Sequence, residues 1–123
     1  MGIYVEVNGV QYPASITGRL EDKEWDNRAS KAIRLKATYE EVLSTFVNDV
    51  AWSIVQDVED QVASENENGE LVFETVMKTE IYDNSEYNIA GDIINHRDGT
   101  VTVKMGKPTA EEILAMIEEG LEL

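Results

Sequence analysis

The chain has no cysteine. That excludes a disulfide framework, a thiolate metal site and a cysteine nucleophile. It has one histidine, His96, among 123 residues. Zinc prefers several Cys or His ligands, and a hydrolytic triad needs a histidine with a nucleophile and an orienting acid. No G-x-S-x-G elbow and no glycine loop for phosphates is present; Gly18, Gly91 and Gly106 are isolated. No run approaches the roughly 18 apolar residues of a membrane helix. The start, Met1-Gly2-Ile3-Tyr4-Val5-Glu6, lacks a basic stretch followed by an apolar one, so no signal peptide is expected. Glu6 stands where myristoylation wants Ser or Thr.

Basic residues are also scarce. Ten Lys and Arg face 25 acids, for a net charge of −15. Phosphate backbones and anionic lipids are bound through Lys and Arg, so neither nucleic acid nor membrane is expected as a partner. The expected partners are other proteins with neutral or basic surfaces, and the charge also serves plain solubility. From Ala37 to Met77 there is no base but ten acids, and five more acids follow Lys107. Most bases lie between Arg19 and Lys36.

What is present suffices for one domain over residues 1–123, since 42% of residues are apolar. Asn8-Gly9, between Ile3–Val7 and Val10–Tyr12, predicts a tight hairpin. Pairing Val7 with Val10 puts Ile3, Val5, Val7, Val10, Tyr12 and Ala14 on one face. Pro13 cannot donate in a ladder, which predicts an edge strand or a bend there. A second hairpin, turning at Asp98-Gly99, joins Ile89–Arg97 to Thr100–Met105. Its two-residue turn puts Val101, Val103 and Met105 on the face of His96, Ile94 and Asp92. Thr102 and Lys104 then point away, beside Asn95 and Ile93.

A strand is expected over Ser30–Ala37, after the charged loop Glu21–Arg28. Thr38-x-x-Glu41 and Thr109-x-x-Glu112 are capping boxes that open helices, the second bearing Ile113, Leu114, Ile117 and Leu121 at helical spacing, with fraying at Gly120. Val50–Val62 fits period two through Trp52, Ile54 and Val58, and period 3.6 through Val47, Ile54, Val58 and Val62. The stop at Asn48-Asp49 and the strand formers Trp52-Ser53-Ile54-Val55 favour a strand. It would pair with Leu71–Tyr82 across the polar linker Ser64–Gly69. This order gives an α+β fold with a mainly antiparallel sheet built from hairpins and two short amphipathic helices.

No catalysis, cofactor or metal site is expected. His96, one residue before a tight turn, reads as a surface residue; a cleft holding it with Asp92 and a further carboxylate would change that. With Gly69 at the sixth place of a calcium loop, Ser64 and Thr75 fall where acids are required. Zinc has only His96 to draw on. Trp52 lies in an apolar stretch and belongs in the core. Trp25 stands in a charged loop, either as a lid on the core or as a partner contact. Tyr82 and Tyr87, flanking Asp83–Glu86, are open to the same two readings.

Trp25-Asp26-Asn27-Arg28-Ala29-Ser30-Lys31, Phe46 with Ala51-Trp52-Ser53-Ile54-Val55, Tyr82-Asp83-Asn84-Ser85-Glu86-Tyr87 and His96-Arg97-Asp98-Gly99-Thr100 together resemble a group of short acidic proteins encoded in prophages near virion and tail genes. The resemblance covers most of the chain and brings no catalytic residues. It implies a phage accessory or structural protein that acts by protein–protein interaction, cytoplasmic or carried with the virion. The oligomeric state stays open. A different reading of the acidic span is a decoy for a basic, DNA-binding host protein.

Overall fold

The computed structural model describes residues 2–121. Seven strands and two helices follow in the order β1 (Ile3–Val7), β2 (Val10–Asp22), β3 (Arg28–Lys36), α1 (Tyr39–Thr45), β4 (Trp52–Glu65), β5 (Leu71–Asp83), β6 (Ile89–Asn95), β7 (Thr100–Gly106) and α2 (Ala110–Leu121). Every pairing is antiparallel, and the strand order is β5-β4-β1-β2-β3-β7-β6. The fold is α+β with a mainly antiparallel sheet.

The first hairpin has the expected register, Val7 opposite Val10 and Val5 opposite Tyr12. Asn8 and Gly9 take φ of 53° and 79°, the left-handed pair that such a turn requires. Val50–Val62 is strand from Trp52 onward, the choice that Asn48-Asp49 favoured. Pro13 lies in an interior strand, not at an edge. It sits where β2 leaves β1 and, from Ala14 on, pairs with β3. A missing N–H is harmless at that handover, because no ladder there needs it.

The second hairpin departs from its expected register. The loop is Arg97-Asp98-Gly99, three residues long, with Arg97 and Gly99 at φ of 59° and 89°. The His96 N–H donates to the Thr100 carbonyl at 3.2 Å. Asn95 Oδ1 accepts the Arg97 N–H, and Asp98 Oδ1 accepts the Thr100 N–H, so two side chains hold the longer loop. The register therefore slips by one: Asn95 faces Val101, Ile93 faces Val103, and Ile94 lies beside Thr102. The slip moves Ile93, Ile94 and Asn95 to the other face, and a further register shift between Ala90 and Ile93 sets Ala90 opposite Met105.

One face of the sheet, the inner face, carries the core. Val5, Val7, Ile33, Leu35, Trp52, Val101, Val103 and Met105 are closed over by Val42 of α1 and by Phe46. α1 is short but capped: Thr38 Oγ1 accepts the Glu41 N–H at 3.2 Å. The sheet is curled. From Asp83 to Ile89 the chain makes six steps and reaches at most about 21 Å. Seven flat strands would separate β5 from β6 by about 29 Å. The link is tied to the inner side by Asn84 N–H to Trp52 O at 2.9 Å and Trp52 Nε1 to Tyr87 O at 3.0 Å.

Candidate functional site

β4 and β5 pair from Ser53 opposite Asp83 to Glu65 opposite Leu71. β1 covers the far side of β4 only from Trp52 to Gln56. Among the described residues the last tie to the body is the Asp57 N–H to the Gly2 carbonyl at 3.1 Å. Beyond it Asp57–Glu65 and Leu71–Thr79 form a two-stranded arm, about 30 Å long at the usual rise per residue. Its tip is set by Asn66, whose Oδ1 accepts the N–H groups of Asn68 and Glu70, and by Gly69 at φ 75°.

The arm is unusual in what it exposes. On the sheet's outer face β5 carries Leu71, Phe73, Met77 and Ile81 at even spacing, 66%, 64%, 58% and 63% exposed. Val62, Val72 and Val76 stand open on the other face. β5 is also a sheet edge, so half of its backbone groups have no ladder partner. Two strands alone are marginally stable in water. A long, apolar, proline-free edge offers a template for pairing with another strand.

Charge on the arm is one-sided. Seven acids lie within Asp57–Lys78 against the single base Lys78. They occupy both faces and the tip. The bases lie across the sheet. Register puts Arg19, Arg34, Lys36 and Lys104 on the outer face of β2, β3 and β7, among Ser15, Thr17 and Thr102. No helix or loop of the described chain packs over the middle of that face, where Arg34 and Lys36 are exposed.

Near one end of this face the Lys23–Asn27 turn is organised by Asp22, which is fully buried. Asp22 accepts Ser30 Oγ at 2.9 Å, Lys104 Nζ at 3.0 Å and the Glu24 N–H at 3.1 Å. The hydrogen bond from Lys104 is the main reason its carboxyl is held below the ordinary Asp range, with burial acting against it. The turn delivers Trp25 onto Gly91 and Gly106. A Cβ at either glycine would come within 2.7 Å of the Trp25 ring or of Arg28 Cδ. Arg28 lies over the indole, 4.8 Å from its centroid. Trp25 is thus a lid on the sheet, half-buried.

Tyr87 is half-buried on the inner side. Its ring meets Trp52 edge-on at 6.5 Å, and Lys31 and Lys107 lie over it at 4.6 and 5.0 Å. Burial is the main cause that lowers the Lys31 pKa, and the Glu86 carboxylate opposes it. Tyr82 alone of the three candidates stands open, at the root of the arm, donating to Glu80. That bond to an acceptor carboxylate raises the phenol's pKa. The structure therefore separates Trp25, Tyr82 and Tyr87 rather than gathering them. The stripe Leu71-Phe73-Met77-Ile81 was visible in the sequence as period two in β5, but its exposure was not.

α2 is a second uncovered element. Its start is a full capping box: Glu112 Oε1 accepts the Thr109 N–H at 2.8 Å, and Thr109 Oγ1 accepts the Glu112 N–H at 3.2 Å. The helix runs on through Gly120, and Glu122 lies outside the described residues. Ile113, Leu114, Met116 and Ile117 are exposed. His96 is exposed, its Nε2 2.7 Å from Thr102 Oγ1. Among the described residues no three His, Asp or Glu side chains are grouped to hold a metal, and no helix is long and apolar enough to cross a membrane.

These features define a class: an α+β protein with a curled antiparallel sheet, an open arm and an uncovered helix. No protein-family model, curated protein or solved structure matches the chain.

Proposed function

We propose that the chain is a phage-related accessory or structural protein that works by binding other proteins, without catalysis, and that the β4–β5 arm is its docking element. The observation that carries the interaction half is the exposed stripe Leu71, Phe73, Met77 and Ile81 on an edge strand. Edge strands take partners through main-chain hydrogen bonds, with alternate side chains supplying specificity. The phage half rests on the sequence resemblance. In this reading Tyr82, at the arm's root, contacts the partner. Trp25 and Tyr87 support the surface from within. The protein acts in the cytoplasm during assembly or stays with the virion.

The acidic decoy draws on the arm's one-sided charge. A decoy mimics a duplex best with its carboxylates along one face. The arm's acids lie on both faces and at the tip, with an apolar stripe between them, so the docking element is preferred.

Affinity capture from cells carrying an induced prophage tests the proposal. Virion or tail components should be retained by the wild type and lost on Phe73→Lys/Met77→Lys. Retention of a DNA-binding protein in a salt-sensitive complex would favour the decoy. Capture unchanged by the arm substitutions would overturn the docking role.

A further inference from the structure

We infer that one partner of the arm is a second copy of this chain, joined head to tail: the acidic arm of one copy lies against the basic β3–β7–β6 end of the next. This rests on the reading of the arm as a docking element and names its occupant.

The first observation is area. The chain exposes 8492 Å². A compact monomer of 13.8 kDa exposes about 6,600 Å² on the usual size scaling. The surplus, about 1,900 Å², is shared by the arm and the uncovered α2 and exceeds the roughly 800 Å² that each partner gives to a standard interface. Two patches per copy is what a head-to-tail contact consumes, one as donor and one as acceptor.

The second observation is charge. The arm holds seven acids against one lysine. Residues 19–36 and 89–107 hold nine bases against six acids. Four of those bases, Arg19, Arg34, Lys36 and Lys104, share the outer face; Lys104 and Arg19 already meet the buried Asp22, and Arg34 meets the half-exposed Asp98, so Arg34 and Lys36 are the ones that stand open to a partner. An arm laid on an arm would set like charge against like charge. An arm joined along the β6 edge brings its acids toward the bases on the outer face of β7 and β3, an opposite-sign field that fixes orientation and speeds encounter.

The third observation is the pair of edges. Of the seven strands in the sheet, β5 and β6 stand at its two ends. Joining β5 of one copy to the β6 side of the next covers both with a single contact. It also sets the stripe of β5 beside Ile94, exposed on the same outer face of β6. Arm-to-arm pairing would leave β6 open. A head-to-tail contact of this kind closes into a ring or continues as a filament, according to the rotation at each step.

Sedimentation velocity on two variants and their mixture tests this. Phe73→Lys/Met77→Lys spoils the arm and keeps the face. Arg34→Glu/Lys36→Glu spoils the face and keeps the arm. All four positions are exposed, and circular dichroism confirms that each variant folds. The wild type should assemble beyond a monomer, at least about tenfold more weakly as NaCl rises from about 0.05 M to about 0.5 M. Each variant alone should be monomeric. Their mixture should give a one-to-one dimer, because one good arm then meets one good face.

Self-association of the face variant alone would mean arm-to-arm contact and would overturn head-to-tail assembly. A wild type that stays monomeric up to about 100 μM at low salt, where a specific micromolar contact is largely formed, would overturn copy-to-copy assembly altogether. If that monomer still loses captured virion components on the arm substitutions, the docking role itself stands.

Discussion

Arg28 and Glu112 meet through two parallel hydrogen bonds, Nη1 to Oε1 at 2.7 Å and Nη2 to Oε2 at 3.2 Å. The pair links β3 to the first turn of α2 across 84 positions of sequence. Arg28 is buried and also donates to the Lys107 and Trp25 carbonyls at 3.2 and 3.3 Å. Glu112 is 44% exposed and at the same time caps the helix. One carboxylate thus closes the capping box and receives the guanidinium, so helix start and helix position depend on the same group.

Glu112→Gln should keep the fold and loosen α2. A bidentate ion pair becomes a hydrogen bond from the guanidinium to one neutral amide oxygen. Faster amide exchange over 113–121, with β3 and β7 unchanged, is the expected result. Arg28→Ala should cost more, about 1–3 kcal/mol of global stability, because it also removes two hydrogen bonds to carbonyls and the stacking on Trp25. Urea unfolding measures it.

Gly106→Ala should destabilise by about 1–3 kcal/mol, the usual penalty of overpacking. The added Cβ would lie 2.7 Å from Arg28 Cδ and 2.9 Å from the Trp25 ring. An indole cannot yield as a flexible chain end does, so the lid should lift. Trp25 emission, read in a Trp52→Phe background with Gly106 intact as reference, should move to longer wavelength.

Thr38→Ala should cost about 1 kcal/mol, the usual worth of a helix cap. Thr38 Oγ1 holds the Glu41 N–H at 3.2 Å, and α1 is only seven residues long. Val42 and Phe46 cover the core from this segment. Thermal unfolding should shift down, with recovery in Thr38→Ser.

Acid should remove a specific part of the stability. Hydrogen bonds from Lys104 and Ser30 hold the Asp22 carboxyl below its unfolded value, and Arg28 does the same for Glu112. A carboxylate whose folded pKa is depressed stabilises fully above its unfolded pKa, about 4. That stability is lost as pH falls through about 4 toward the folded pKa. Melting temperatures followed from pH 7 to pH 3 should fall more steeply in the wild type than in Asp22→Asn. The comparison cancels the general relief of like-charge repulsion. Equal slopes would remove Asp22 from this role.

Much of the sheet was legible because its signals are local. Asn8-Gly9 fixes one hairpin by its φ angles, and the two Thr-x-x-Glu boxes open the two helices. The other features depend on what is distant or subtle. Asp98-Gly99 suggests a two-residue turn, but Asn95 and Asp98 side chains stabilise a three-residue loop, and the faces of Ile93–Asn95 are reversed. β2 runs on to Asp22 because β3 takes over as partner at Ala14, which nothing between Ser15 and Leu20 announces. The glycines beneath Trp25 lie 66 and 81 positions away from it, so the lid could not be told from a contact residue. The arm's residues read as strand, but its exposure depends on how far β1 pairs along β4, from Trp52 to Gln56, a property of another strand.

Hydrogen–deuterium exchange along β5 tests most directly whether the arm is a docking element. In the free chain the outward amides of Leu71–Asp83 have no ladder partner. As protein concentration rises at low salt they should become protected, and high salt or Phe73→Lys/Met77→Lys should reverse the protection. Exchange at the rate of a free edge at every concentration, and equally with captured partner proteins present, would contradict the docking role of the arm.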